Sequence, residues 1–75
     1  MQMKKLNLQQ VLHLNEEAVF IQHKELGDWI DCAAGVFVLL DMCYLYLEKS
    51  DRWLDCDAYG EVWTAYKCDD ELEKE

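Results

Sequence analysis

Residues 28–48 read DWIDCAAGVFVLLDMCYLYLE, and the way this run folds decides the architecture. As a helix it would be apolar all round and capped by Asp28, giving a β-α-β-β chain with a buried helix at 28–48. As sheet, it offers Val36-Phe37-Val38 and the alternation Tyr44-Leu45-Tyr46-Leu47, the β-branched and aromatic content that strands favour. A membrane span over the apolar positions 29–47 is disfavoured by Asp31 and Asp41. Each would cost about 2.5–3.5 kcal/mol near a bilayer centre.

A repeat tips the choice toward sheet. WIDC at 29–32 returns as WLDC at 53–56, an offset of 24. Extended outward, AVFIQHKELGDWIDCAAGVFVL lies over MCYLYLEKSDRWLDCDAYGEVW. Phe20 then meets Tyr44, Ile21 meets Leu45 and Ala34 meets Ala58. Each copy reads strand, polar turn, W-[IL]-D-C strand, small-residue turn, strand. No turn signal separates 36–41 from 42–48, so one long strand bending near Asp41-Met42 is expected there.

Upstream, Asn7 stands three residues before Gln10, a capping-box spacing that predicts a short helix over 7–14. The fold expected is therefore α+β and mostly β. A short N-terminal helix precedes a five-stranded antiparallel meander, or a small partly closed barrel, with one long bent strand. The chain is read as one domain: helix 7–14, antiparallel sheet 18–67 and the acidic tail DDELEKE at 69–75.

Alternation along strands sorts the side chains. It assigns Ile30, Cys32, Leu54, Cys56, Cys43, Leu45 and Leu47 to the buried face. It turns Trp29, Asp31, Tyr44, Tyr46, Glu48, Trp53, Asp55 and Asp57 to water, with Glu61 beside them. These nine outward residues combine amphipathic rings, of the type that anchors protein interfaces, with carboxylates. They form the candidate partner-binding surface.

Charge points the same way. Sixteen acidic residues against seven basic ones give a formal net charge of −9 over 75 residues. Such a field repels nucleic acid and anionic membrane and attracts basic surfaces. Arg52 is the only arginine, so forked recognition of phosphate is nearly excluded. The start MQMKKLNLQQ lacks the apolar core of a secretory signal, which implies a cytoplasmic protein with reduced, buried thiols.

Catalytic and metal chemistry is sparsely represented. The cysteines at 32, 43, 56 and 68 lack the close pairing of a structural zinc site, so no metal and no cofactor is expected. Ser50 and Thr64 are the only hydroxyl nucleophiles of their type, and a Cys32–His23 dyad would have no third group to orient it. The expectation is a protein that is not an enzyme.

In size, acidity and lack of catalytic motifs the chain resembles the small phage-encoded anti-defence inhibitors, the anti-CRISPR and DNA-mimic type. The resemblance is one of character over the whole length, with no diagnostic motif, and it transfers no individual residue. It implies the host bacterial cytosol and a nuclease or CRISPR effector complex as target. The function expected is a non-catalytic inhibitor that covers a basic, nucleic-acid-binding surface of a protein partner, as a mimic or a steric block. The alternative is a small oligomeric structural or ligand-binding barrel, and the sequence leaves monomer and dimer both open.

Overall fold

A computed structural model describes residues 2–68; the predicted acidic tail lies outside the described residues. The elements run β1 (Met3–Lys5), α1 (Leu8–Leu12), β2 (Glu17–His23), β3 (Gly27–Leu39), β4 (Met42–Leu47), β5 (Arg52–Asp55), a 3-10 turn (Cys56–Ala58) and β6 (Trp63–Cys68). Six antiparallel strands form one sheet in the order β1-β6-β2-β3-β4-β5. The 28–48 run is sheet, and the buried-helix alternative falls.

The helix begins as its sequence predicts. The Gln10 amide donates to Asn7 Oδ1 at 2.8 Å and the Asn7 amide to Gln10 Oε1 at 2.9 Å, a complete capping box. It is shorter than expected and ends at Leu12, with His13 as its C-cap. Val11 and, just beyond, Leu14 drop into the core, while Leu8 and Leu12 remain exposed.

Three expectations about the sheet are corrected. The long bent strand is in fact two strands joined by a tight turn at Leu40-Asp41, where both residues take positive φ, 52° and 66°. That conformation normally selects Gly, Asn or Asp, so Asp41 suits it while Leu40 in the first position hides the turn from the sequence. The small-residue stretch Ala33–Gly35 is not a turn but a bulge inside β3, where the ladder to β4 slips by one residue. Finally, β6 does not extend the meander. It crosses back to pair with β2, and the unpredicted β1 pairs with its other side.

The sheet is open, because the edge strands β1 and β5 do not pair with each other among the described residues. It nevertheless curls strongly. The indole N–H of Trp63 on β6 donates to the backbone oxygen of Asp55 on β5 at 2.8 Å, although β2, β3 and β4 lie between those strands. The concave side encloses the core of Leu6, Val11, Leu14, Val19, Ile21, Ala33, Leu45, Leu47, Leu54, Cys56, Trp63 and Ala65. Tyr59 ties the edge down, since its hydroxyl donates to the backbone oxygen of Leu6 and accepts from the Ala65 amide.

The 24-residue repeat survives as two hairpins, β2–β3 and β4–β5. They differ in one respect that reverses a face. Between the last paired residues, His23↔Gly27 and Leu47↔Arg52, the first hairpin has three loop residues (24–26) and the second has four (48–51). One extra residue shifts the register by one, and a shift of one exchanges the two faces of a strand. In the second hairpin Leu45 pairs with Leu54, so Leu54 and Cys56 are buried and Trp53 faces water, as the alternation predicts. In the first, Ile21 pairs with Trp29 and Val19 with Asp31, so Trp29 and Asp31 turn inward and Ile30 is 62% exposed. The predicted faces of WIDC are inverted.

Candidate functional site

Asp31 was expected at the surface and is 2% exposed. A carboxylate can be held there only if its lone pairs are filled. Five donors fill them: the Trp29 indole N–H (2.8 Å), the amides of Cys32 (2.7 Å), Lys49 (2.7 Å) and Ser50 (3.1 Å), and the Ser50 hydroxyl (2.7 Å). Burial alone would raise its pKa. The hydrogen bonds from Ser50, Trp29, Cys32 and Lys49 outweigh burial and hold the carboxyl below its ordinary value. Three of the five bonds come from the longer loop 48–51. The short loop of the first hairpin forces Asp31 inside, and the long loop of the second supplies the donors that make this tolerable.

The remaining predicted residues divide by position. Tyr44, Tyr46, Trp53 and Asp55 share the convex face of β4 and β5, through the pairs Tyr46↔Trp53 and Tyr44↔Asp55. Trp53, 46% exposed, is the hub. Its ring lies 4.6 Å from that of Tyr46, 6.5 Å from Tyr44 and 5.7 Å from Phe37, the last two edge-to-face. Phe37 is a member that the sequence reading missed, because a continuous bent strand gave no reason to place it opposite Tyr44. The Tyr46 hydroxyl donates to Asp51 at 2.7 Å, which raises the phenol pKa and fixes the ring.

Asp55 and Asp57 border this aromatic face. The Asp55 carboxylate accepts from the Asp57 amide at 2.9 Å and so caps the 3-10 turn. Glu61 lies apart, in the turn before β6 beside Lys24 and Asp28. Trp29 is half-buried and spends its N–H on Asp31. Of the nine predicted residues, then, five (Tyr44, Tyr46, Trp53, Asp55, Asp57) belong to one surface.

Glu48 stands in a different group. Glu16, Cys32 and Glu48 each bring one ligand atom within 4.8 Å of the others. A hydrogen bond between the two carboxyls, reinforced by their repulsion, raises the pKa of Glu16. Burial and then the Glu48 and Glu16 charges raise the Cys32 thiol, keeping it protonated and a poor nucleophile. The three side chains alone do not define a metal site. The Cys32–His23 dyad does not form either. Cys32 pairs with Ala18 and His23 with Gly27, five residues apart along the hairpin, about 16 Å. His23 Nδ1 instead accepts from the amides of Glu25 and Leu26 at 3.1 and 3.2 Å and closes the loop.

The thiols match the expected role only in part: Cys56 is buried, while Cys32 and Cys43 are half-buried. Burial, then a hydrogen bond with Cys43, pushes the Cys56 thiol up to about 12. Folded protein should therefore leave Cys56 unmodified by iodoacetamide at neutral pH, and urea should make it react. Peptide mass spectrometry reads the difference, and rapid labelling of Cys56 in the folded state would contradict its placement in the core.

No helix among the described residues is long and apolar enough to cross a membrane. No family of known proteins, no curated protein and no solved structure matches this chain. The functional reading therefore rests on the geometry of the convex face.

Proposed function

We propose that the chain is a non-catalytic inhibitor whose aromatic, acid-bordered face docks on a basic, nucleic-acid-binding surface of a protein partner. The observation that carries this reading is the Trp53 cluster. Four rings, Phe37, Tyr44, Tyr46 and Trp53, gather on the water-facing side of a sheet whose core is on the other side. Asp51, Asp55 and Asp57 lie beside them on the same strand and its flanking turns. Rings supply contact area at little entropic cost, and carboxylates speed encounter with a Lys- and Arg-rich surface. A surface that binds DNA or RNA is of that kind, and covering it competes with the nucleic acid. A nuclease or CRISPR effector complex of the bacterial cytosol is the proposed target class.

The test is capture of the partner from bacterial lysate on immobilised protein, elution by salt, then competition against the partner's own nucleic acid. The chain should displace that nucleic acid. The Asp57→Lys variant should weaken binding by roughly tenfold at low salt with circular dichroism unchanged, and Asp55→Lys should weaken it at least as much because it also removes the cap of the turn that presents Asp57. Affinity indifferent to both reversals would reject the electrostatic mechanism. Asp31→Lys does not belong in this series, because that carboxylate holds the fold.

A further inference from the structure

The β3–β4 hairpin reaches beyond the sheet that supports it. On one side β2 pairs with β3 only as far as Ala33, and on the other β5 pairs with β4 only from Tyr44. Residues 36–43 therefore form a two-stranded ribbon with no strand beside either edge among the described residues. Across a two-residue turn flanked by Leu39↔Met42, Phe37 and Leu39 direct their amides and carbonyls toward β4. Val36 and Val38 direct theirs outward. The side chains are apolar on both faces: Phe37, Val38, Leu39 and Met42 are 37–70% exposed, and Leu40 at the tip is 97% exposed.

We propose that this ribbon is the interface of a homodimer, with the outer edge of β3 pairing antiparallel with the same edge of a second copy. Unlike the docking function above, this inference concerns the chain alone and does not depend on it. Three observations select a second copy as the occupant. An antiparallel pair of identical edges is self-complementary under a two-fold axis, so Val36 and Val38 of each copy can satisfy the other's backbone groups. Charge also selects it. The chain carries −9, yet residues 32–40 hold no charged side chain, so two copies repel least here and a basic partner would gain nothing from it. No proline and no charge lies on the outer edge of β3 from Val36 to Leu39; the one charge of the ribbon is Asp41, in its turn. Third, the five apolar side chains leave on the order of 500 Å² exposed per copy, an apolar area that pairing of the two ribbons would cover in part.

The turn adds a distinguishing sign. Leu40 holds a left-handed conformation that bulky residues disfavour, and its side chain packs on nothing in its own chain. A residue that costs the monomer and serves nothing within it is expected where its benefit lies in association.

Sedimentation equilibrium of the full chain over a range of concentration and salt tests the proposal. A dimer is expected whose population rises with salt, as screening relieves repulsion between copies. That is opposite in sign to the partner binding proposed above, so the two ideas fail separately. Val38→Lys should raise the dimer dissociation constant roughly tenfold or more, by placing a charged, strongly hydrated side chain from each copy on either side of the axis. Leu40→Asn should also dissociate the dimer while raising the melting temperature of the monomer, which excludes misfolding as the cause. A chain monomeric at every concentration overturns the proposal. So does a dimer that persists unchanged in Val38→Lys, or one that salt dissociates.

Discussion

Asp31→Ala is expected to remove about half of the stability of the folded chain or more. The substitution strands the amides of Cys32, Lys49 and Ser50, the Ser50 hydroxyl and the Trp29 indole N–H around a cavity. Each bond to an ionised acceptor is worth about 1.5–3 kcal/mol, and stranded buried donors cost their desolvation in full. A net loss of about 3–5 kcal/mol follows, against roughly 4–11 kcal/mol available to a chain of this length. Asp31→Asn should lose less, about 2–3 kcal/mol, because Oδ1 can still accept while the amide nitrogen faces donors. Urea denaturation reads both, and an Asp31→Ala midpoint within error of the unsubstituted chain would refute the assignment.

The same carboxylate sets a pH dependence. Its pKa is lower folded than unfolded, so its contribution is fully present above the ordinary aspartate value of 3.8 and is lost as pH falls through and below it. Asp31→Asn has no such group to protonate. The stability gap between the two proteins should therefore narrow on acidification through that window and stay constant above it.

Trp63→Ala is expected to cost about 3–5 kcal/mol, the range for removing a buried aromatic ring. Trp63 is 2% exposed, pairs with His23 across the sheet and stands 4.8 Å from the Tyr59 ring. Trp63→Phe keeps most of the volume but loses the N–H bond to Asp55, and should lower the melting temperature by about 5–10 °C. That bond holds the start of the turn presenting Asp55 and Asp57. Trp63→Phe should therefore also weaken partner binding, though the residue touches no partner. A stable Trp63→Ala protein with an unchanged melting curve would show that β6 does not close over the core as described.

Two of the tryptophans show how far the sequence could be read. Trp53 was legible: alternation over Arg52–Asp55 put Leu54 inward and the indole outward, and the sheet obeys. Trp29, in the same four-letter context, was assigned the wrong face, because the period of a strand says which residues share a side but not which side is wet. Only the pairing to β2 decides that, and it hangs on loop length, a quantity the repeat disguised. The capping box at Asn7 and Gln10 was readable because it is local. The turn at Leu40-Asp41 was not, since a leucine with positive φ contradicts every turn preference. The return of β6 to β2 was equally hidden, because long-range pairing leaves no mark on either strand. Phe37 joined the aromatic face only once that turn was known.

The unequal loops also bear on how such a chain can vary. An inserted or deleted residue is ordinarily harmless in a surface connection. Here, adding one residue to 24–26 would swing Ile30 into the core and expel Asp31 from the hydrogen bonds that keep it there. Removing one from 48–51 would bury Trp53 and put Leu54 in water. The two W-x-D-C segments are therefore not interchangeable by recombination, although their spelling invites it. The fold constrains the length of these connections more tightly than most of their composition.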